Sequence, residues 1–554
     1  MIATRTGQAN SQWLTAALLG AIAVFGLFLR TQQWSMQVLL DDEWHAIHKL
    51  QSAGYQDIAT SFGVADYSIP LTLFYKALAD TVGLNEWLMR MPMLAAGIIA
   101  PVLLVRWAAH RFERTTVIAI AWLLAISPML VIFTRMARPY AIIALLVPCA
   151  LFFAYRWWQD GRWRDLFAYA VCAIFAAYLH LLMAIIVLSP LLWFFLSGIR
   201  SATSRPAHGR RWVSRIFVAA AAIGIPLLCL LLPPILTDFG ALSAKAGQSE
   251  IDALFFPEAA FLLAGSQFLP IVVLFFALGA IGLTCLLRKH KRQTAYVLFA
   301  FGLFQAALFL ARPAWLQHGI VYVRYNIAFL PFLLIAVAVG ITETSRIVAV
   351  GRFAFRWLAA GVAAVLVFGS MLTPTTIDTS SYSLHTYFMA HADLERNRAH
   401  IVVNKMTISP FWRIHAKTLT RDNEIIGFAP WRFETPISPL PILERASMRR
   451  VLPAFLTGFC AEARLGETSP TSRTRMINAI YPGMATESHG RRAAILVWQK
   501  AWMPPDEKEW VMRVHGPFAG PAFEAFPACE AKIRAEFGQP VYEDEWLVAF
   551  AARR

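Results

Sequence analysis

Apolar residues dominate the first two thirds of the chain, in runs of roughly 18 to 22 separated by short basic loops; about 20 such residues in a helix cross a bilayer. Eleven runs are readable, at 12–30, 91–109, 115–133, 139–156, 165–179, 181–198, 213–233, 267–287, 294–311, 325–342 and 355–373. Pro128, Pro148 and Pro226 fall inside them, as membrane helices tolerate. The first run, Trp13 to Leu29, lacks a small-residue cleavage site followed by a soluble domain and reads as a retained helix. Between the first two runs, Glu43–Leu50 and Leu71–Val82 are apolar on one face and suit short helices lying along the membrane surface. A second long connection is expected at 234–266. Beyond about 374 the chain turns polar and proline-punctuated. Strand-like runs at His400–Val403, Ala493–Trp498 and Trp546–Ala551 alternate there with helical patterns at Phe388–Asn397 and Asp506–Val514, which predicts a small α/β domain.

Composition agrees. Of 554 residues, 58% are hydrophobic and 15% charged, against about half and about a quarter in soluble domains. The net charge of +16 does not indicate nucleic acid, because the basic residues sit in loops between apolar runs. Arg106, Arg111, Arg114, Arg156, Arg162, Arg164, the arginines of 200–215, Arg288, Lys289 and Arg346 all fall on one set of loops. The opposite set carries Asp41, Asp42, Glu43, Asp57, Asp66, Asp80, Glu86, Asp238 and Glu258. The positive-inside rule assigns the basic set to the cytoplasm. The amino terminus is then cytoplasmic, and eleven spans put the tail outside. The expectation is a polytopic α-helical membrane domain, 1–373, with an outer loop at 31–90, followed by an extracytoplasmic α/β domain, 374–554. Cys149, Cys172, Cys229 and Cys285 read as small buried hydrophobes; Cys460 and Cys529 lie in the tail, where a disulfide is an open alternative.

Candidate chemistry gathers on the outer face. Asp41, Asp42 and Glu43 stand in a row just past the first span. A single Asp would cap the following helix; three adjacent acids exceed that need and suit a general base or a divalent metal. Arg135 and Arg138, in FTRMARPY, run against the positive-inside trend at the end of the third span, and Arg324 opens the tenth in VYVRY. Guanidinium groups placed there suit a phosphate, or a salt bridge to the acids. Pro139 can start the helix that opens with Tyr140. Tyr178 and His180 close the fifth span, where His180 serves equally as a structural hydrogen-bonding group.

These motifs, in order, resemble the GT-C superfamily of integral-membrane glycosyltransferases. The nearest branch is the bacterial one related to protein mannosyltransferases and the aminoarabinose transferase of lipid A. The resemblance is carried by Asp42-Glu43, Pro70-Leu71 with Phe74-Tyr75, Arg90-Met91-Pro92, Ser127-Pro128 through Arg138-Pro139-Tyr140, Tyr178-Leu179-His180 and Arg324-Tyr325, over about 330 residues. Where the family often carries His or Lys before the Pro-Leu pair, this chain has Ser68-Ile69-Pro70, and Arg135 or Lys76 is the candidate replacement.

The resemblance implies an inverting transferase using a polyprenyl-phosphate sugar and an envelope glycan, lipid or protein acceptor, in the inner membrane of a bacterium. Asp42 would be the general base, with Glu43 or Asp41 positioning the acceptor or tuning it. Arg138, Arg135, Arg324 and Tyr140 would hold the donor phosphate. His180, Tyr325, Lys76 and Asp66 are further substrate-contact candidates. No nucleotide-binding motif is evident, and a divalent metal at the acids stays open. The competing class is a transporter or flippase of a lipid-linked or anionic substrate. That class favours ionisable residues at mid-membrane depth and broken helices, whereas these charges cluster at one edge.

Overall fold

In the computed structural model, the described residues are 2–31, 53–62, 68–82, 86–204, 209–247, 255–347, 409–429, 443–453, 494–500 and 530–551, apart from a few positions within these ranges. Asp41, Asp42, Glu43 and Asp66 lie outside them, as do the last predicted span, both tail cysteines, His400–Val403, Phe388–Asn397, Asp506–Val514 and nearly all of Glu43–Leu50. The chain divides into two compact units. One holds Met1–Gln32, Gly54–Leu73 and Arg90–Asp378; the other holds Gln33–Ala53, Phe74–Met89 and Thr379–Arg554.

The first unit is helical and multi-pass. Its elements are α1 (Ile2–Thr31), α2 (Tyr55–Ala59), α3 (Ile69–Thr81, whose start belongs here), α4 (Glu86–Ala109), α5 (Arg114–Ile126), α6 (Pro128–Thr134), α7 (Tyr140–Asp160), α8 (Trp163–Leu179), α9 (Met183–Ser204), α10 (Gly209–Ala244), α11 (Phe255–Ala264), α12 (Leu269–Lys289), α13 (Lys291–Ala311), α14 (Gly319–Tyr325) and α15 (Leu330–Ile347). Among the described residues, six helices are long and apolar enough to cross a membrane, or eight if the bent pairs α5–α6 and α14–α15 each count as one span. α8 and α9 are the shorter of the predicted crossings, with Met183–Ile199 the apolar part of α9.

Three sequence expectations change here. The third run is not one helix: it breaks at Ser127 and bends by 50°. The tenth run does not open at Arg324. Arg324 and Tyr325 end a separate helix, and α15 leaves it at 92°. The region 234–266 is not simply a loop, because α10 runs on to Ala244 with a kink at Asp238, and α11 follows. The Asp238 carboxylate accepts the Phe62 amide at 2.9 Å, which ties the kink to the segment after α2.

The break at Ser127 has a local cause and a distant remedy. Pro128 has no N–H, so the Leu124 carbonyl four residues earlier loses its helical donor. Arg30, at the end of α1 and 2% exposed, supplies one. Its Nη2 donates to Leu124 O at 3.0 Å, and its Nη1 donates to Ala125 O at 2.7 Å and to Gly26 O at 2.9 Å. α1 can come this close because Gly26 carries no side chain; a Cβ there would stand 3.0 Å from that of Ala125. Small residues at such crossings are the usual means of close approach in membranes. α9 repairs Pro190 within itself: the orphaned Ile186 carbonyl accepts the Ser189 hydroxyl at 2.7 Å. Replacing Arg30 with Met leaves two buried carbonyls unsatisfied, at about 1–3 kcal/mol each. Arg30→Met is therefore expected to lower the unfolding temperature in detergent clearly, whereas Ser189→Ala should do so only slightly.

α12 and α15 pack on glycines. A Cβ at Gly282 would collide with the Ala336 carbonyl, and one at Gly340 with the Leu278 carbonyl. At the α7–α8 turn, Gly161 adopts the left-handed backbone (φ 67°), which suits glycine. The turn is braced by Arg156, paired with buried Asp165 at 3.5 Å, and by Arg215, which donates to Trp158 O at 2.8 Å.

In the second unit the tail forms a five-stranded sheet of order β2-β1-β3-β5-β4. The strands are β1 (Ile425–Ala429), β2 (Arg450–Pro453), β3 (Ile495–Gln499), β4 (Tyr542–Glu543) and β5 (Leu547–Ala551). β1 runs parallel to β2 and β3, and β5 antiparallel to β3 and β4. Two predicted strands, Ala493–Trp498 and Trp546–Ala551, are β3 and β5, paired with Leu496 opposite Phe550. β1 and β2 are additional. A π-helical turn at Phe411–His415 precedes a short helix, Ala416–Leu419, and buries Phe411 and Trp412. Asp544 closes the turn between β4 and β5 by accepting the Trp546 and Leu547 amides at 2.8 and 2.9 Å. Neighbouring Glu543 pairs with Arg534 and Lys500, which hold its carboxyl down to about 2.

Candidate active site

The bend after α6 places the first candidates. α6 ends at Thr134, Arg135 caps it through its amide to Ile132 O at 2.9 Å, and the chain turns over 135–139 before α7 begins. Pro139 caps α7, and Tyr140 is its first residue. Arg138 therefore stands on a turn that leads into a helix amino terminus, where unsatisfied N–H groups and the helix dipole favour an anion. Both Arg138 and Tyr140 are buried.

Two other chain ends arrive at the same place. His180 caps the carboxyl end of α8, its amide on Ala176 O at 3.1 Å. Arg324 and Tyr325 close α14. The side chains meet on one ring: the Arg138 Cζ and the Arg324 Cζ each lie 5.8 Å from the Tyr140 centroid. Arg138 also reaches the Tyr140 hydroxyl at 3.5 Å. Arg324 lies 5.7 Å from the Tyr325 ring, and His180 meets Tyr325 edge-on at 5.4 Å and Tyr140 at 6.4 Å. Phe133 backs Tyr140 at 5.0 Å. Cation–π contacts at this range are attractive. They hold two guanidiniums within reach of one electron-rich ring.

Five candidates read from the sequence thus come together: Arg138, Tyr140, His180, Arg324 and Tyr325. Arg135 stands apart from the shared ring. Its Nη1 donates to Leu29 O at 3.2 Å. Lys76, in the second unit, pairs with Asp80 one turn along its own helix at 3.0 Å.

Sequence reading had Arg90 only as a helix start. It sits inside α4 rather than at its beginning and is buried. The available signal was the one used for Arg135, an arginine against the charge bias. Gln305 and Asn326 were missed as well. Tyr322 donates to Gln305 Oε1 at 3.0 Å, Gln305 donates to Asn326 Oδ1, and Asn326 donates to Tyr322 O at 2.9 Å. This network spans α13 and the 92° bend, and so holds the end of α14 that presents Arg324. Among the described residues no group of three or more His, Cys, Asp or Glu suits a metal ion.

Residues 70–230 match the family model of dolichyl-phosphate-mannose-protein mannosyltransferases. The match lies within the helical part of the chain, over 161 of its 554 residues. The matched segment contains Arg90, Arg135, Arg138, Tyr140 and His180. Among solved structures, the chain is similar to ArnT from Cupriavidus metallidurans. In the apo state the identity is 14% and the TM-score 0.43; bound to undecaprenyl phosphate they are 15% and 0.45; in both cases 98% of each chain is covered. It is also similar to the oligosaccharyltransferase AglB from Archaeoglobus fulgidus in complex with an inhibitory peptide and a dolichol-phosphate, at 11% identity and TM-score 0.41, over 94% of this chain and 72% of that one. No curated protein matches the chain.

Proposed function

We propose that this protein is a membrane glycosyltransferase of the GT-C type, which moves a sugar from a polyprenyl-phosphate donor to an acceptor hydroxyl on the extracytoplasmic face of a bacterial inner membrane, with inversion. The observation that carries this is the convergence of Arg138 and Arg324 on the Tyr140 ring at the amino terminus of α7. Buried cations gathered at a helix start favour a group with two or more negative oxygens, and a phosphate ester meets that need. The family that matches 70–230 is named for a dolichyl-phosphate-mannose donor, which is of this chemical class.

In this reading the acceptor oxygen attacks the anomeric carbon while the Asp42 carboxylate takes its proton. The bond from that carbon to the phosphate oxygen breaks, and the electron pair leaves on the polyprenyl phosphate. Arg138 and Arg324 stabilise the charge growing there, and Tyr140 fixes both guanidiniums. Arg135 and Arg90 extend the positive field. Glu43 or Asp41 orients the acceptor, and His180 and Tyr325 line the sugar side. The acceptor is an envelope glycan, lipid or protein. The test is transfer of radiolabelled sugar from a polyprenyl-phosphate donor by the purified protein in detergent. Donor movement across sealed vesicles without transfer would instead favour a flippase.

The topology belongs to the same proposal: residues 1–373 are the membrane domain, and 374–554 an extracytoplasmic domain. A Ser381→Cys variant is expected to react with a membrane-impermeant thiol reagent once any outer membrane is opened. Labelling only after the inner membrane is broken would put the tail inside.

A further inference from the structure

At the opposite end of α7 from Tyr140, a groove of about 390 Å³ opens between α4, α7 and the start of α13. That volume is within the roughly 300–1,000 Å³ typical of ligand sites. It is lined along α7 from Ala144 to Gln159, about 22 Å at 1.5 Å per residue. One leaflet's share of the hydrocarbon core is about 15 Å, so the groove is long enough for an acyl chain and part of a headgroup.

Its two ends differ in chemistry. The deep part is apolar, with Leu103, Leu104, Pro148, Phe152 and Phe332. The shallow part carries Arg106, His110, Arg111 and Arg156, and among the described residues no Asp or Glu lines the groove. Of the nearby acids, Asp165 pairs with the groove's own Arg156, which leaves Arg106 and Arg111 as its cations, while Glu113 pairs with Arg346 and Asp160 with Arg162 at 3.8 Å. Arg111 is braced by Gln293 Oε1 at 2.8 Å and by the Trp107 ring at 5.4 Å. Arg106 is exposed and makes no ion pair among the described residues. The α4 end thus sets Arg106 and His110 one turn apart, with Arg111 beside them.

Topogenic charge accounts for arginines at this end of the bundle. It does not account for their lining an apolar groove with no acid among its described lining residues.

The groove is separate from the Tyr140 cluster. Between them lies a cavity of about 20 Å³ that shares Ala100, Leu104 and Ala144 with the groove and is bounded by Phe133, Thr134 and Ile327. That is about one water's worth of space, so a polyprenyl chain does not thread from one to the other.

We propose that this groove binds an anionic phospholipid of the leaflet at the Arg106 end, which the charge bias makes the cytoplasmic one. The phosphate and its net charge lie against Arg106, Arg111 and His110, and one acyl chain runs along Leu103, Pro148 and Phe152. The site takes a membrane lipid, distinct from the donor lipid at the other end of the bundle.

The test uses the full-length protein in detergent, with phosphatidylglycerol and phosphatidylcholine of identical chains. Native mass spectrometry is expected to show phosphatidylglycerol retained at least about tenfold better, the worth of one charge-assisted contact. The Arg106→Gln/Arg111→Gln double variant should lose that preference. Arg288→Gln/Lys291→Gln removes as much charge outside the groove and should keep it. In the unaltered protein, phosphatidylglycerol with a photoreactive acyl chain should cross-link within 100–111 or 144–159, which locates the site without relying on a variant. Equal retention of the two lipids, equal loss in both double variants, cross-links confined to other segments, or displacement by a polyprenyl phosphate would each overturn the proposal.

Discussion

Asp42→Asn is expected to abolish sugar transfer while the protein still inserts and folds. The amide nearly matches the carboxylate in shape, so helix capping and packing change little, but it has no basicity with which to take the acceptor's proton. Loss of a general base costs about 10²–10⁴-fold, and an alcohol acceptor gives little spontaneous attack to fall back on. Asp41→Asn should lower turnover far less. The pair is read in a purified transfer assay at saturating donor, beside the unfolding temperature of each variant. Near-normal turnover of Asp42→Asn would make that residue a cap and remove the base from the mechanism. A fall in unfolding temperature that accounts for the lost activity would do the same.

The second large effect belongs to the arginines over Tyr140. Arg138→Ala and Arg324→Ala are each expected to lower kcat/KM for the donor by about 10–100-fold, corresponding to roughly 1.5–3 kcal/mol for a charge-assisted contact. Arg138→Lys should recover only part, because the guanidinium fork and its flat face on the ring are lost. Since both guanidiniums rest 5.8 Å from one ring centroid, their effects should not add, and Tyr140→Ala should couple to both in a double-mutant cycle. Tyr140→Phe keeps the ring and should be mild. Unchanged donor dependence in both alanine variants would exclude a phosphate there.

If both results hold, the mechanism needs Asp42 near the arginines in the working enzyme, and cross-linking of cysteines placed at 42 and 138 would measure that approach directly. If only the arginine result holds, the anion site stands and the base must be sought among His180 and the neighbouring acids.

Much of this protein was legible in its residues, for a physical reason. A bilayer demands about 20 apolar residues per crossing, so hydropathy alone located α1, α4, α7, α10, α12 and α13 to within a few positions at most ends. Arginines that break a charge bias are rare enough to mark a site, and Arg138, Arg324 and their aromatic neighbours, read one by one from distant segments, meet on Tyr140. In the tail, continuous apolar runs picked out β3 and β5 but passed over IIGFA, which a glycine interrupts, and RVLP, which an arginine and a proline bound.

What sequence could not determine were the places where a helix stops inside an apolar run. Nothing local in VYVRYNIAFLPFL distinguishes a continuous span from one that turns by 92°. Within the turn, Asn326 accepts from Gln305, some twenty residues earlier on another helix. Likewise Pro128 can sit in a straight or a broken span, and Arg30, on α1, supplies the donors that make the break tolerable. Those two bends present Arg324 and Arg138 to one ring. The sequence by itself named the two arginines; distant hydrogen bonds, formed only in the packed bundle, bring them to one ring.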